Sequence, residues 1–96
     1  MNLQIFENAQ NFIKSLERDE REKVIASLKY LKVGNPLLII KLLKKPVYEF
    51  KVKRVRILFL IINSDFYITS GFIKKTQKTP RNEIGYAESI YKKLIN

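Results

Sequence analysis

The run Val55–Ile62 constrains the fold of this 96-residue chain more than any other segment, because apolar residues occupy both of its faces after Arg56. A strand that is apolar on both faces is typical of the middle of a sheet. We therefore expect Val55–Ile62 to be a central strand, and we expect the end that carries Arg56 to protrude from the core.

Further strands are predicted on both sides of this central run. In Val47–Val52, aromatic and valine residues alternate with charged residues, which is the period of a strand with one buried face. Residues 66–73 follow the turn sequence Asn63-Ser64-Asp65 and complete an antiparallel meander. Lys53-Arg54 is the predicted hairpin loop, although it lacks the Gly, Asn or Asp of common turns. Residues 3–6 form a short candidate strand.

Apolar residues at helical spacing predict three helices. The first two precede Gly34, which suits the left-handed position after a helix, and they are expected to form a hairpin across one sheet face. The last helix is predicted to begin with Thr79 as N-cap and Pro80 as its first residue. The predicted buried stripes are Ala9, Phe12, Ile13 and Leu16, then Val24, Ile25, Leu28 and Leu31, then Ile84, Ala87, Tyr91 and Leu94.

The run of residues 37–45 fits two interpretations. Asn35-Pro36 could cap a short helix there, and an extended connector would fit equally well. Pro46 ends the segment in either case. Because the run is more apolar than a surface connector requires, part of it is expected in the core. A part left exposed would be a candidate patch for binding a partner.

Together these elements predict an α+β fold, in which a small antiparallel β-sheet carries an N-terminal helical hairpin and a C-terminal helix. We expect Phe50, Phe59 and Phe72 to share one core. The length suits a single domain over residues 1–96. The sequence contains neither a signal-peptide pattern nor an apolar run of about 18 residues, so we expect a cytoplasmic protein without a membrane span.

Positive charge is concentrated in one part of the chain. The formal net charge is +10, and residues 34–81 account for +9 of it, with eleven cations against Glu49 and Asp65. A merely solubilising surface would scatter its charge, whereas a concentrated field attracts polyanions. The pattern therefore favours a nucleic acid or an acidic protein as partner.

Several kinds of catalytic site are excluded by residue types. The chain has no His and no Cys, so a histidine-based acid–base pair, a cysteine nucleophile and a thiolate metal site are unavailable. Carboxylates are too few in the strand half for a two-metal phosphodiesterase, and no Gly-rich phosphate loop is present. We therefore expect neither a metal nor a cofactor.

A cationic sheet surface can still cleave RNA, because the 2′-hydroxyl of the RNA is itself the nucleophile. The protein then has to place that hydroxyl in line, help remove its proton and stabilise the charged phosphate. A lysine beside other cations has a lowered pKa and can act as a base. DNA lacks the 2′-hydroxyl, so the expected substrate of a nuclease of this kind is RNA.

Three segments carry a resemblance to a known family: Tyr48-Glu49-Phe50-Lys51-Val52, the arginine-bearing Val55-Arg56-Ile57-Leu58-Phe59, and Gly71-Phe72-Ile73-Lys74-Lys75-Thr76-Gln77-Lys78-Thr79-Pro80. In this order they resemble the RelE/ParE superfamily of toxins from type II toxin–antitoxin systems, in particular the phage Gp49-like and HigB-like branch. The resemblance extends over roughly the whole chain, and the decapeptide is its most specific part.

The resemblance implies a metal-independent endoribonuclease that cuts messenger RNA on the ribosome until an antitoxin neutralises it. The antitoxin is expected to be a helix-turn-helix protein, and operator DNA would be bound only through it. The expected catalytic residues are Lys51, Arg56, Lys74 and Lys75, and the expected RNA-binding residues are Lys41, Lys44, Lys45, Lys53, Arg54, Lys78 and Arg81.

Two positions depart from the family pattern. Val55 replaces an aromatic residue, and Ser70 replaces a histidine that many relatives carry before the Gly-Phe pair. If that histidine is an acid or base in relatives, a lysine, a tyrosine or ribosomal RNA has to take its place here. Two alternative functions therefore stay open: a ParE-like inhibitor of DNA gyrase, and a non-catalytic basic domain that binds RNA or the ribosome.

Overall fold

The computed structural model describes residues 2–34, 38–75 and 77–96. In this part of the chain five strands and three helices form an α+β fold, which confirms the predicted class. In chain order they are β1 (Leu3–Ile5), α1 (Glu7–Ser15), α2 (Arg18–Val33), β2 (Ile40–Lys44), β3 (Val47–Val52), β4 (Val55–Ile62), β5 (Asp65–Ile73) and α3 (Arg81–Ile95).

The five strands form one sheet in the order β1-β5-β4-β3-β2. Strands β2 to β5 form the predicted antiparallel meander. Strand β1 pairs with β5 in parallel, whereas an antiparallel sheet was predicted. Of the run with two interpretations, Ile40–Lys44 is an extended edge strand. The predicted cap at Asn35-Pro36 lies outside the described residues.

Each face of the sheet has its own core, and β4 contributes to both. The hairpin-side core contains Ile57 and Phe59 of β4 together with residues of α1 and α2. The α3-side core contains Leu58 and Leu60 of β4 together with residues of α3. Every β4 residue from Val55 to Leu60 is buried, which confirms the prediction of a central strand.

The helical hairpin was predicted correctly in outline, but the buried face of α2 is rotated relative to the predicted face. Val24, Leu28 and Leu31 are buried as expected, whereas Ile25 is exposed and Ser27 is buried in its place. Positions 24, 27, 28 and 31 follow the same helical spacing, so a slightly different stripe of α2 faces the sheet. Gly34 ends α2 with φ +72°, in the predicted left-handed conformation.

Both hairpin loops predicted between strands are present. Asn63 and Ser64 have φ values of 52° and 69°, the pair of positive angles that matches the twist of a two-residue hairpin. In the other loop Lys53 has φ 54°, a conformation that a residue with a side chain adopts only at some cost. Because this loop contains no Gly, Asn or Asp, contacts with other residues have to stabilise the left-handed conformation of Lys53.

Phe72 does not share a core with Phe50 and Phe59, so that expectation is wrong. Phe50 and Phe59 lie in the hairpin-side core, while Phe72 packs against the α3-side core. The cause is a register shift between β4 and β5: Phe59 is opposite Ile68, but Leu58 is opposite Ser70. One extra residue reverses the side on which every later side chain of β5 lies.

The irregularity also brings Gly71 against the helical hairpin. A Cβ atom built at Gly71 would overlap the Phe12 ring of α1 and would lie 2.8 Å from Cδ1 of Ile57. Gly85 is the matched control, because a Cβ atom at this position in α3 would meet nothing within 4 Å.

We predict that Gly71→Ala lowers the free energy of unfolding by about 1–3 kcal/mol, because the added methyl group overpacks the core. Gly85→Ala should raise it by about 0.8–1.0 kcal/mol, since alanine has the higher helix propensity. Urea unfolding followed by circular dichroism measures both. Equal stability of Gly71→Ala and the parent would show that α1 does not approach β5 this closely.

Candidate nucleic-acid interface

Charged side chains of three neighbouring strands lie on the α3 side of the sheet. Lys41 of β2 is opposite Glu49 of β3, and Lys51 of β3 is opposite Arg56 of β4. Arg56 is in turn opposite Phe72 of β5. Residues that are directly opposite in a sheet share a face, so the register brings these positions together.

Arg56 is buried, so the expectation that its end of the strand protrudes is wrong. Only 8% of the residue is exposed. One guanidinium nitrogen donates hydrogen bonds to the carbonyl oxygens of Lys53, at 2.6 Å, and Val55, at 3.1 Å. Its Nε lies 3.9 Å from Oε1 of Glu49. The hairpin loop therefore folds back over Arg56, and the same bonds support the left-handed conformation of Lys53.

Glu49 is the acidic partner that compensates this buried cation. It is 5% exposed, and its Oε2 accepts a hydrogen bond from the Thr79 hydroxyl at 2.7 Å. The predicted capping role of Thr79 is therefore wrong. Helix α3 begins at Arg81 with Pro80 as N-cap residue and no side-chain cap, because the Thr79 hydroxyl is used by Glu49.

Lys74 and Lys75 follow directly after β5. The backbone N–H of Lys74 donates to the Arg54 carbonyl at 2.8 Å, which continues the pairing of β5 with β4 for one more residue. Lys74 is half-buried, whereas Lys75 is exposed and lines a cleft of about 550 Å³ together with Phe72 and Glu83. Burial raises the pKa of the Glu83 carboxyl, a residue to which the sequence analysis assigned no role.

A second, shallower pocket lies between β2 and the start of α3. It has a volume of about 330 Å³, and its lining includes Lys41, Lys78 and Arg81, three of the predicted RNA-binding residues. Lys44, at the end of β2, forms an ion pair with Glu88 of α3 at 3.4 Å. Lys45 is exposed in the following turn. Five of the predicted RNA-binding cations therefore border this side of the molecule: the three that line the pocket, together with Lys44 and Lys45.

Lys53 and Arg54 contact α2 instead. Arg54 forms two hydrogen bonds with the Glu20 carboxylate, at 2.7 and 3.1 Å, which lower the pKa of Glu20 and raise that of Arg54. Lys53 lies close enough to Lys23 to lower the pKa of that α2 lysine. These two predicted RNA-binding side chains are thus not brought together with Lys51 and Arg56.

Ser70 occupies an enclosed position on the same face as Glu49. It is opposite Leu58, which is itself opposite Glu49, and it is almost fully buried. Its hydroxyl has no hydrogen-bond partner within the described part of the chain. A histidine at this position would lie on the same face of the sheet as the buried pair, and the serine supplies no comparable acid or base.

Glu49 and Thr79 are the two members of this arrangement that the sequence analysis did not assign to the site. A signal for Glu49 was present, because it is one of only two acids in residues 34–81. No signal singled out Thr79, since a threonine ahead of a proline and a helix fits an N-cap equally well.

The described residues contain neither a metal-binding cluster nor a membrane-spanning helix. No group of three or more His, Cys, Asp or Glu side chains among residues 2–34, 38–75 and 77–96 is placed to hold a metal ion. In the same ranges, none of the helices has both the length and the apolar character needed to cross a membrane.

Several solved structures similar to this one contain RelE toxins, alone or with the antitoxin RelB. The isolated RelE toxin of E. coli has a TM-score of 0.66 and 17% identity, with 95% of this chain and 96% of that chain covered. A chain of the RelB–RelE antitoxin–toxin complex from Methanococcus jannaschii has a TM-score of 0.66 and 14% identity, with 75% of this chain and 91% of that chain covered. For the archaeal RelE–RelB complex from Pyrococcus horikoshii OT3, the TM-score is 0.61 and the identity 12%, with 77% of this chain and 94% of that chain covered. The fold is therefore that of RelE toxins.

A sequence profile identifies the family to which this chain belongs. The profile described as phage-derived protein Gp49-like (DUF891) matches residues 11–92, which is most of the chain. The protein belongs to the phage-derived Gp49-like family, and the resemblance to RelE-type toxins of this branch is confirmed. No curated protein matches the chain significantly.

We predict that Arg56→Met lowers the free energy of unfolding by about 3–5 kcal/mol, because it leaves the Glu49 carboxylate buried without its cation. The double variant Glu49→Gln/Arg56→Met should recover most of that loss, since glutamine is uncharged and still accepts a hydrogen bond from Thr79. Urea unfolding of the two variants and the parent measures the coupling. Equal destabilisation in the single and double variants would contradict a compensating role for Arg56.

Proposed function

We propose that this protein is the toxin of a type II toxin–antitoxin pair, a metal-independent and ribosome-dependent mRNA endoribonuclease that inhibits translation and growth. The observation that supports this most is the cluster of cations at one end of the sheet, where Lys51 of β3 is opposite Arg56 of β4 and Lys74 follows directly after β5. The Gp49-like profile and the RelE fold support the same conclusion.

The proposed reaction is attack by the RNA 2′-hydroxyl on the adjacent phosphorus. The 2′-oxygen forms a bond to phosphorus while the bond from phosphorus to the 5′-oxygen breaks, which leaves a 2′,3′-cyclic phosphate and a 5′-hydroxyl. A neutral lysine of this cluster accepts the proton of the 2′-hydroxyl, and a protonated lysine gives a proton to the departing 5′-oxygen. Charge-assisted hydrogen bonds from the other cations stabilise the phosphate oxygens.

The cations of this cluster contribute in two ways. Lys51 and Lys75 are exposed, and Lys74 is half-buried, so these side chains are accessible to a phosphate. Arg56, which is opposite Lys51, is held in a buried position by backbone carbonyl oxygens and Glu49. We propose that Arg56 adds its fixed charge from this position, where the surroundings screen it less than water would. It also holds the strand ends that carry the lysines.

The inhibitory partner is proposed to be an antitoxin. Two of the similar structures are complexes of RelE with the antitoxin RelB. A basic segment of charge +9 would bind RNA indiscriminately unless it were covered, so we propose a tightly bound acidic antitoxin. In this proposal the antitoxin is a helix-turn-helix protein, and operator DNA is bound only through it.

Two observations favour a second function, a non-catalytic domain that binds RNA or the ribosome. Arg56 is buried, and Ser70 offers neither an acid nor a base at its enclosed position. Such a domain would bind the ribosome with the same cations and would leave the message intact. Measuring cleavage separately from binding distinguishes the two functions.

We predict that Lys51→Ala and Lys74→Ala each slow single-turnover cleavage on programmed ribosomes by a factor of about 100 to 1,000. Losing a contact formed to the developing charge typically costs about 2.7–4 kcal/mol of transition-state stabilisation. Lys92→Ala, an exposed lysine near the end of α3, is the matched control and should cleave at the parental rate. Parental rates in Lys51→Ala and Lys74→Ala would rule out this cluster as the active site.

We further predict that Lys45→Ala weakens ribosome binding only modestly and that the loss increases as the salt concentration falls. An exposed lysine on the rim acts through screened electrostatics, which high salt suppresses in parent and variant alike. Binding isotherms of the parent, Lys45→Ala and Lys74→Ala at two ionic strengths provide the measurement. A salt-independent loss for Lys45→Ala would indicate a direct structural contact instead.

A further inference from the structure

Strand β2 leaves one edge of the sheet open. It is the last strand in the sheet order, and among the described residues its main chain pairs with β3 alone. Ile40 is 47% exposed and Leu42 is 50% exposed, which is unusual for large apolar residues in a strand. Exposed apolar edge strands are places at which another chain adds to a sheet.

The register defines which backbone groups point outward. The Lys51 N–H donates to the Ile39 carbonyl at 3.3 Å, and Lys41 is opposite Glu49 two residues further along. Hydrogen-bonded and non-bonded positions alternate along an antiparallel pair. The N–H and C=O groups of Ile40 and Leu42 therefore point towards the open edge.

The two faces of β2 differ in chemistry. Ile40 and Leu42 lie on the side of the helical hairpin, as their opposite residues Phe50 and Tyr48 do. Lys41 lies on the α3 side and lines the shallow pocket with Lys78 and Arg81. A segment that paired with β2 would meet apolar side chains on one face and cations on the other.

We propose that β2 is the docking edge for an extended segment of an acidic partner in which apolar residues alternate with carboxylates. The inference rests on the proposed function in one respect, namely that the partner is the antitoxin. The segment bonds to the outward groups of Ile40 and Leu42, and its apolar side chains cover theirs. Its carboxylates lie on the α3 side, next to Lys41.

Pairing geometry makes the contact at Lys41 a close one. If the added strand is antiparallel and bonds to Ile40 and Leu42, Lys41 occupies a non-hydrogen-bonded position, where the Cα atoms of opposite residues are about 4.5 Å apart. The carboxylate opposite Lys41 then lies over the shallow pocket on the face assigned to RNA. The partner thus competes with phosphate at this border of the site and leaves the buried Arg56–Glu49 pair undisturbed.

The test uses two fluorescein-labelled nine-residue peptides of equal composition. In one, valine and glutamate alternate; in the other, the glutamates are grouped at one end. The full-length protein should bind the alternating peptide about tenfold more tightly, as measured by fluorescence anisotropy. Equal affinity for both peptides would mean that charge alone drives binding and would overturn the proposal.

Two variants of one residue separate main-chain pairing from side-chain contact. Leu42→Pro removes the outward N–H, and proline is tolerated at the open side of an edge strand. Leu42→Ala keeps the N–H and trims the side chain. We expect Leu42→Pro to bind the alternating peptide about tenfold more weakly than Leu42→Ala, because it loses the hydrogen bond and its ring blocks the incoming strand. Equal binding by the two variants would contradict strand addition.

A second measurement needs no variant and serves if Leu42→Pro does not fold. Amide hydrogen exchange of the parental protein should slow at Ile40 and Leu42 when the alternating peptide is added, while exchange at Lys41 should not change. Unchanged exchange at Ile40 and Leu42 with bound peptide would overturn the proposal. Neither readout requires RNA cleavage, so an inactive protein that meets these expectations refutes the proposed function alone.

Discussion

A carboxylate buried in a protein must be compensated, and the compensation of Glu49 joins three parts of this molecule. Arg56 supplies a cation from the neighbouring strand, and Thr79 supplies a hydroxyl from the segment before α3. Such a pair adds little net stability compared with apolar residues of the same size, but removing one partner is costly. It therefore fixes where the start of α3 lies relative to the strands that carry the lysines.

The two faces of the sheet differ in what covers them and in the residues they carry. Its hairpin side is covered by α1 and α2 and carries most of the aromatic packing, including the stacked rings of Tyr48 and Phe59. Its α3 side has a smaller core, beyond which Lys41 and Lys51 are exposed. The register shift in the middle of β4 makes this division possible, because it moves Phe72 to the α3 side while Ile68 stays on the other.

Features governed by local pattern were predictable. The bounds of Val47–Val52 and Val55–Ile62 agree with the structure, because alternation and a two-sided apolar run are direct signs of strands. Gly34 was recognised for a similar reason, since few residues adopt its left-handed conformation. The order of motifs along the chain predicted the fold of RelE toxins correctly.

Features governed by tertiary contacts were not predictable. A single extra residue in β5 reverses the side of Phe72, and no residue type announces it. The burial of Arg56 depends on a loop that folds back and on a glutamate from another strand. Thr79 has a local role that its sequence context favours, and a buried carboxylate 30 residues away takes its hydroxyl instead. The partner at each of these positions lies in another element of the structure.

Ribosome-dependent cleavage is tested most directly by primer extension on cellular messages after brief induction of the protein. If the lysines of the α3 side act on RNA in the ribosome, new 5′ ends should form within translated reading frames. The same message with its start codon removed should stay intact. Growth arrest with uncut messages, or equal cutting of the untranslated message, would contradict ribosome-dependent cleavage.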